Sequence, residues 1–374
     1  MNINMNPTQS FDFTTAILDP RITFARAGNT ATVVNSSGLI AGINADLPRF
    51  DYDPVTLACR GLLIEETRSN ICNYSVNFNG WGSFGGSYTL NSGTAPDGTN
   101  TATLVTNTFS GAFRYWPLSV TGAYTVSVWA KGATGNETIT LQSAPSGTST
   151  GPMALSTSWK RYTLTYTGTW SRFDIYLGNT SQVAYFWGAQ VEAGGFVTSY
   201  IPTSGSAVTR NADVATITGT NFSDWWQSGA GGSQVQATPS TVSGIRPLIQ
   251  FDDGTANGII VLRGNTTNPE LYIVNGGTPQ AQIDAGTIAA NTDYNLFGIW
   301  KTNDCAAKLN NGTPVTDTSA TIPTVTQVRL GADGSNYLNG HLTSINYYTG
   351  NQIAGVGRYM YTRRKNKVVP PSIF

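Results

Sequence analysis

Tyr124-Thr125-Val126-Ser127-Val128-Trp129-Ala130 is the stretch that decides the fold class. Its residues alternate strictly. Tyr124, Val126, Val128 and Ala130 share one side, and Thr125, Ser127 and Trp129 the other. A period of two is the signature of a β-strand, and β-branched and aromatic residues suit a pleated surface. The pattern returns in Trp159-Lys160-Arg161-Tyr162-Thr163-Leu164-Thr165-Tyr166, in Phe173-Asp174-Ile175-Tyr176-Leu177, and in Val183-Ala184-Tyr185-Phe186-Trp187-Gly188-Ala189-Gln190-Val191-Glu192. Short Gly, Ser, Asn and Thr turns separate these runs, as in a sandwich or barrel.

The same reading extends through a second block, from about 233 to 350. Its strand candidates are Leu248-Ile249-Gln250-Phe251, Gly258-Ile259-Ile260-Val261-Leu262, Glu270-Leu271-Tyr272-Ile273-Val274, Tyr294-Asn295-Leu296-Phe297-Gly298-Ile299-Trp300, Val325-Thr326-Gln327-Val328-Arg329-Leu330 and His341-Leu342-Thr343-Ser344-Ile345-Asn346-Tyr347-Tyr348. Asn275-Gly276-Gly277 and Asn310-Asn311-Gly312 read as hairpin turns, because Asn and Gly tolerate positive φ. Between the blocks, Thr203-Ser204-Gly205-Ser206 reads as a linker, and Asp224-Trp225-Trp226-Gln227 as the opening of a short helix or an edge contact.

Composition agrees with an all-β chain of two or three units. There are 374 residues, of which 40% are hydrophobic and 11% aromatic, enough to bury cores; 41 are glycine. Only 11% are charged, with 21 Lys+Arg against 21 Asp+Glu, so no global charge draws the chain to nucleic acid or to a membrane surface. Three cysteines, Cys59, Cys72 and Cys305, are too few and odd in number for a disulfide framework and fit assembly in a reducing cytoplasm. The start, Met1 to Pro7, has no basic region followed by an apolar run, so no secretory signal is expected. No apolar run approaches the roughly 20 residues of a membrane helix, so no membrane insertion is expected.

The expected organisation is therefore two antiparallel β-sandwich (jelly-roll) domains, at 71–205 and 206–352. An extended N-terminal leader, 1–70, precedes them, and a basic C-terminal tail, 353–374, follows. No Asp or Glu comes after Asp333, while Arg358, Arg363, Arg364, Lys365 and Lys367 do, and the chain ends in Val368-Val369-Pro370-Pro371-Ser372-Ile373-Phe374. Arg363, Arg364, Lys365, Lys367 and Phe374 together read as a docking peptide: charge for an acidic partner surface, and a Pro-rich apolar end that loses little entropy on docking. No specific nucleic-acid partner is expected.

Three sets of residues resemble segments of tailed-bacteriophage virion proteins. The first set is Ile22-Thr23-Phe24-Ala25-Arg26-Ala27, Pro48-Arg49-Phe50-Asp51-Tyr52-Asp53-Pro54 and Arg60-Gly61-Leu62-Leu63-Ile64-Glu65-Glu66-Thr67-Arg68-Ser69-Asn70, which resembles the opening of such proteins. The second is Trp187-Gly188-Ala189-Gln190-Val191-Glu192-Ala193-Gly194, continued by Thr198-Ser199-Tyr200-Ile201-Pro202-Thr203 and Val208-Thr209-Arg210-Asn211-Ala212-Asp213. It is similar to the segment that follows their carbohydrate-binding-module-like jelly roll. The third is the pattern at 294–348, which resembles a concanavalin A-like (laminin G-like) lectin sandwich. The resemblance implies a virion structural protein of tail-fibre or tail-spike type with host-surface polysaccharide as ligand, other virion proteins as partners, and homotrimeric assembly. A capsid-associated head fibre or decoration protein is the alternative, and a polysaccharide depolymerase a third class.

Catalytic residues are not expected. The one histidine, His341, has no nucleophile or orienting acid marked out by a motif. Glycoside hydrolysis needs two carboxylates about 5–10 Å apart; Asp174 and Glu192 lie on different strands and nothing distinguishes them from solvated carboxylates. For glycan stacking, Trp81, Trp116 and Trp170 lie beside Gly or Pro turns and are the surface candidates. Trp129, Tyr162 and Trp187 lie within strand patterns and read as core. The structural alternative for every one of these rings is packing in a core or between subunits. No cofactor is expected, save that Asp252-Asp253-Gly254 and Asp333-Gly334-Ser335-Asn336 offer oxygen ligands suited to Ca²⁺, the alternative being ordinary Asp-Gly turns.

Overall fold

The computed structural model describes residues 6–178 and 180–350. The basic tail, with Arg363, Arg364, Lys365, Lys367 and Phe374, lies outside the described residues. What is described is almost entirely antiparallel β-structure, in two compact units.

The division differs from the expected one. The first unit combines residues up to Ala25, the segment Cys59–Glu66, and the chain from Asp213 onward; the second combines Arg26–Ala58 with Thr67–Ala212. Residues 1–70 are thus not an extended leader: they supply strands to both units. Side-chain chemistry explains the misreading. Arg26 and Arg49 look like solvent-facing charges, yet they are 2% and 0% exposed. The Arg26 guanidinium donates to the carbonyls of Asn44 at 2.6 Å, Leu47 at 3.1 Å and Ile43 at 3.3 Å, and Arg49 Nη1 donates to Ser199 Oγ at 2.8 Å. A buried guanidinium that satisfies backbone carbonyls pins irregular chain that has no ladder of its own.

In the second unit the strand expected around Tyr124 is longer, Phe113–Gly132, and pairs with Lys160–Leu177 along most of its length. The two short strands expected at 159–166 and 173–177 are therefore one, continuous through Gly168. Val183–Ala193 flanks Phe113–Gly132 on its other side. Val126, Val128 and Ala130 face a core with Leu164, Phe173, Ile175, Phe186 and Val191. The opposite side is covered too. Trp129 packs edge-on to Trp187 at 5.7 Å and Tyr200 at 5.4 Å, within a smaller apolar cluster that includes Ile40. Trp187 and Tyr162 are core, as expected, and Trp129 is half-buried.

The first unit has two sheets. One has the strand order Val315–Asp317, Cys305–Leu309, Tyr294–Lys301, Ala230–Pro239, Gly340–Thr349, Cys59–Ile64, with Gln9–Asp12 also on Gly340–Thr349. The other is seven-stranded, in the order Thr23–Ala25, Val214–Thr218, Gln327–Leu330, Ile245–Asp252, Gly258–Asn265, Asn268–Asn275, Thr278–Asp284. Phe251 of the second sheet lies 5.4 Å from Trp300 and 6.1 Å from Tyr347 of the first, and Trp226 closes the cluster at 4.8 Å from Phe251. Gly298 lets the layers approach: a Cβ there would sit 2.4 Å from Leu262. The Asn275-Gly276-Gly277 hairpin forms as expected, with Gly276 and Gly277 at φ of +61° and +73° and Asn275 opposite Thr278. Those two positive angles define the two-residue turn whose twist matches the strands. The helix anticipated near Trp225 is a single turn, Thr220–Ser223.

Candidate functional site

On the seven-stranded sheet the alternation places Ile249, Phe251, Ile260, Leu262, Leu271, Ile273, Val328 and Leu330 in the core. The intervening positions therefore share the outer face. Register sets them side by side: Gln250 opposite Arg329, Asp252 opposite Gln327, Arg263 opposite Glu270, and Tyr272 opposite Gln282. Neighbouring strands thus present a row of planar polar side chains and one aromatic ring, interrupted by Ile259 and Val261 on the strand between Gln250 and Tyr272.

Two hydrogen-bonded centres organise the row. Asp252, almost fully buried, accepts from Gly254 N at 2.8 Å and Gln327 Nε2 at 2.5 Å on one oxygen, and from Gln250 Nε2 at 3.0 Å and Arg329 Nε at 2.9 Å on the other. Glu270, equally buried, accepts from Arg263 Nε at 2.8 Å and Gln282 Nε2 at 3.0 Å. Arg263 also lies 4.0 Å over the Tyr272 ring. Between the centres a cleft of about 340 Å³ opens, floored by Gln250, Ile259, Arg263, Tyr272 and Arg329 and walled by the Thr255 and Ser335 loops. Buried carboxylates hold both guanidinium groups in fixed orientation while leaving them on the cleft surface. A rigid donor array beside a ring and an aliphatic side chain suits a polyhydroxylated ligand, whose hydroxyls hydrogen-bond and whose C–H faces pack on apolar groups.

The residues singled out from sequence fall elsewhere or play other parts. Trp81 is 3% exposed and packs on Phe78 at 4.5 Å and Phe173 at 5.8 Å, its indole N–H donating to Tyr74 O at 3.1 Å. Trp170 is fully buried beside Tyr166, and Trp116 is half-buried against the same core. The inference from turn neighbours fails because Trp116 and Trp170 lie within the long strands Phe113–Gly132 and Lys160–Leu177, packed on the core, and Trp81 turns its ring inward. Each ring buries roughly 150–250 Å², worth about 4–6 kcal/mol at 25 cal/mol/Å². That exceeds what a stacking contact with a ligand returns for a buried ring, so Trp81 and Trp170 are core, while Trp116 packs on the core with part of its ring exposed.

Asp252 and Asp333 do meet at the cleft, where donors fill Asp252 and take up most of Asp333. A carboxylate offers about four lone-pair sites, and Asp252 accepts from Gly254, Gln327, Gln250 and Arg329. Asp333 accepts from Ser335 N at 2.8 Å and from Asn336 N at 2.7 Å and Nδ2 at 2.8 Å. Asp253 accepts from Thr255 N at 2.8 Å and Oγ1 at 2.7 Å, and the Thr255 bond holds its carboxyl below the usual carboxylate range. Among the described residues no group of three or more His, Cys, Asp or Glu is arranged to hold a metal ion.

Asp174 and Glu192 are each engaged locally. Asp174 bonds Arg172 at 2.5 Å and 2.9 Å; burial raises its pKa, with Arg172 opposing. Glu192 accepts from Thr198 N and Oγ1 and from Gln190. His341 joins Ser240 and Asp293 in lining a cavity of about 370 Å³ on the other sheet of the first unit, where Asp293 is bonded by Gln236 and Thr238.

The sequence reading missed Arg263, Glu270, Tyr272, Gln282, Gln327 and Arg329. Only part of their signal was present: Gln250 and Asp252, and Gln327 and Arg329, alternate with apolar residues, whereas Arg263, Glu270 and Tyr272 share their outward positions with Ile259, Val261 and Val274.

No family model matches the chain, and no curated protein matches its sequence. Among solved structures it is similar to the CBM40 of the Ruminococcus gnavus IT-sialidase bound to α2,3-sialyllactose, at 12% identity over 34% of this chain and 81% of that one, with a TM-score of 0.28. It is also similar to sheep galectin-11 in complex with glycerol, at 16% identity over 32% of this chain and 91% of that one (TM-score 0.24). A third similar structure is domains LG4-5 of the mouse laminin α1 chain, at 10% identity over 73% of this chain and 92% of that one (TM-score 0.24).

Proposed function

We propose that this chain is a non-enzymatic glycan-binding protein whose first unit takes a saccharide on the outer face of its seven-stranded sheet. The observation that carries this reading is the cleft between the Asp252–Arg329 and Glu270–Arg263 centres, with Tyr272 on its floor. The formal charges lining or bracing it nearly cancel: Arg263 and Arg329 against Asp252, Glu270 and Asp333. A site so balanced favours a neutral sugar over a strongly charged one. A single shallow site of this kind binds weakly, and repetition across copies raises avidity. On the motif resemblance we further place the protein in the surface appendage of a tailed-phage particle, as a tail-fibre or spike-type subunit, homotrimeric, assembled in the host cytoplasm and contacting other virion proteins.

A neutral-glycan array with the full chain tests the binding reading, with Tyr272→Ser and Arg329→Met as paired variants. Binding that falls about ten-fold or more in both variants, read well below the melting temperature of each, is expected from the loss of a packing face and of a charge-assisted donor; Arg329→Met also melts lower, because it takes a partner from buried Asp252. Array binding that both variants retain overturns the assignment of the cleft. A cryo-EM map of the particle tests location: density on the tail supports the appendage reading, and density on the capsid lattice replaces it with a head fibre or decoration protein.

A further inference from the structure

Two arginines on neighbouring strands of the second unit have opposite surroundings. Arg172 is paired with Asp174 and lies 5.1 Å over Phe113. Arg114, on the core side of Phe113–Gly132 and 2% exposed, has no carboxylate paired with it among the described residues. Its guanidinium lies 3.7 Å over the Tyr88 ring and Nη2 donates to Phe78 O at 3.3 Å, while Nε and Nη1 are buried without a hydrogen-bond partner. A buried cation with two unsatisfied donors is costly, so its retention asks for an anion that arrives from outside.

A route to it exists. Arg114 lines a narrow crevice with Ser83, Gly85, Gly86, Ser87 and Asn107, and the enclosed space of about 10 Å³ holds one water-sized group. Gly86, at φ +94°, brings the rim close to the neighbouring strand: a Cβ there would meet Thr106 O at 2.4 Å. Outside stand three exposed aromatic side chains: Phe84 at 57%, Tyr88 at 44% and Phe109 at 42%. Phe84 and Phe109 meet edge to face at 5.6 Å. The crevice admits a carboxylate oxygen but not a sugar ring, and the ring platform beside it is what a pyranose face packs on.

We propose that this crevice receives the carboxylate of an acidic saccharide, Arg114 binding the anion while Phe84, Tyr88 and Phe109 carry the sugar ring. The ligand class follows from the pairing of one unsatisfied buried cation with an exposed aromatic surface. Neutral glycans leave Arg114 unpaired, and simple anions leave the rings uncovered. The site lies in a different unit from the cleft at Asp252 and stands or falls independently of it.

The test is calorimetric titration of the full chain with oligogalacturonate, hyaluronan oligosaccharides and oligosialic acid, beside the methyl-esterified form of the first. The acid form is expected to bind about ten-fold or more tighter than its ester, and more weakly as salt rises. Arg114→Met removes that preference while keeping or raising the melting temperature, because it deletes an uncompensated buried charge. Phe84→Ser and Phe109→Ser, at exposed positions that do not threaten folding, weaken binding of the acid form by several-fold each. The proposal is overturned if none of the three acids binds, if acid and ester bind alike, or if Arg114→Met melts lower by more than about 5 °C, which marks a structural brace. Equal binding of poly-glutamate reassigns the crevice to acidic peptides and overturns the saccharide.

Discussion

Replacing Asp252 by Asn separates a structural centre from a decorative one. The carboxylate accepts four hydrogen bonds, two on each oxygen, from Gly254 N, Gln327, Gln250 and Arg329. An amide has one acceptor oxygen and one NH₂ group, so whichever way the substituted side chain turns, two of the four donors face another donor. One orientation leaves Arg329 and Gln250 unpaired, the other Gly254 N and Gln327. Every one of the four bonds ends on a charged carboxylate and is worth about 1.5–3 kcal/mol, so losing one pair costs about 3–6 kcal/mol; Arg329 is 27% exposed, and solvent trims the upper end. At about 2–4 °C per kcal/mol for a unit of this size, the melting temperature falls by roughly 6–24 °C. Scanning calorimetry of Asp252→Asn and of Gln327→Ala reads this directly, the latter expected to cost about half as much, roughly 1.5–3 kcal/mol, since it removes one bond. A fall under about 1 °C in Asp252→Asn refutes the reasoning, since it means the four donors find water as readily as the carboxylate.

Other outcomes follow from the same geometry. Calcium at about 1 mM, enough to fill even weak extracellular-type sites, leaves the melting temperature and neutral-glycan binding unchanged, because the oxygens of Asp252 are occupied by donors; a calcium-dependent rise in thermal scans contradicts this. Cys72 and Cys305 are buried, burial pushing the Cys305 thiol up to about 11 and that of Cys72 higher still, whereas Cys59 is partly exposed. A thiol-reactive chromophore therefore titrates one sulfur in the native protein and all of them in denaturant. Burial raises the Tyr347 phenol to about 12, with its contact to Gln227 opposing. Folding stability from this group is intact below the unfolded phenol pKa near 10 and is lost as pH rises through about 12. Tyr347→Phe consequently moves the alkaline unfolding midpoint, followed by tryptophan fluorescence, to higher pH. Trp81→Ala costs about 3–5 kcal/mol by cavity formation and lowers the melting temperature, whatever saccharide is present.

The all-β class and most strands were legible because alternation is a local property. Tyr124–Ala130 needs only its own residues to be read, and the turn at Gly276-Gly277 only its two glycines. What was illegible was every assignment that depends on which strand lies next to which. Lys160–Leu177 was read as two pieces because Thr167-Gly168-Thr169 interrupts the apolar series, and its pairing with Phe113–Gly132 is what carries it across. Residues 1–70 were read as a leader because their apolar pieces are short and interrupted by turn formers such as Pro48 and Pro54, and only the carbonyls of residues 43, 44 and 47 reveal why Arg26 is inside.

The same distinction separates the motifs from the sites. The segments that carry the virion-protein resemblance are seams of the fold. Arg68–Asn70 pairs with Val208–Arg210. Asn70 accepts from Cys72 N and Val191 N and donates to Ala189 O and Ile201 O. Gln190 and Glu192, fully buried, tie down Ile201 and Thr198. Glu65 and Asp213 bond each other reciprocally within the first unit, Glu65 N to Asp213 Oδ2 at 2.9 Å and Asp213 N to Glu65 O at 3.0 Å. Such residues are recognisable in sequence because each has several backbone obligations that few side chains meet. They therefore report how the chain is closed and not where a saccharide sits. The cleft residues have the opposite character: Gln250, Arg263, Tyr272 and Arg329 sit at outward strand positions where the backbone demands nothing of the side chain. Their chemistry is free to answer to a ligand, and only the strand register, which no local pattern contains, brings them together.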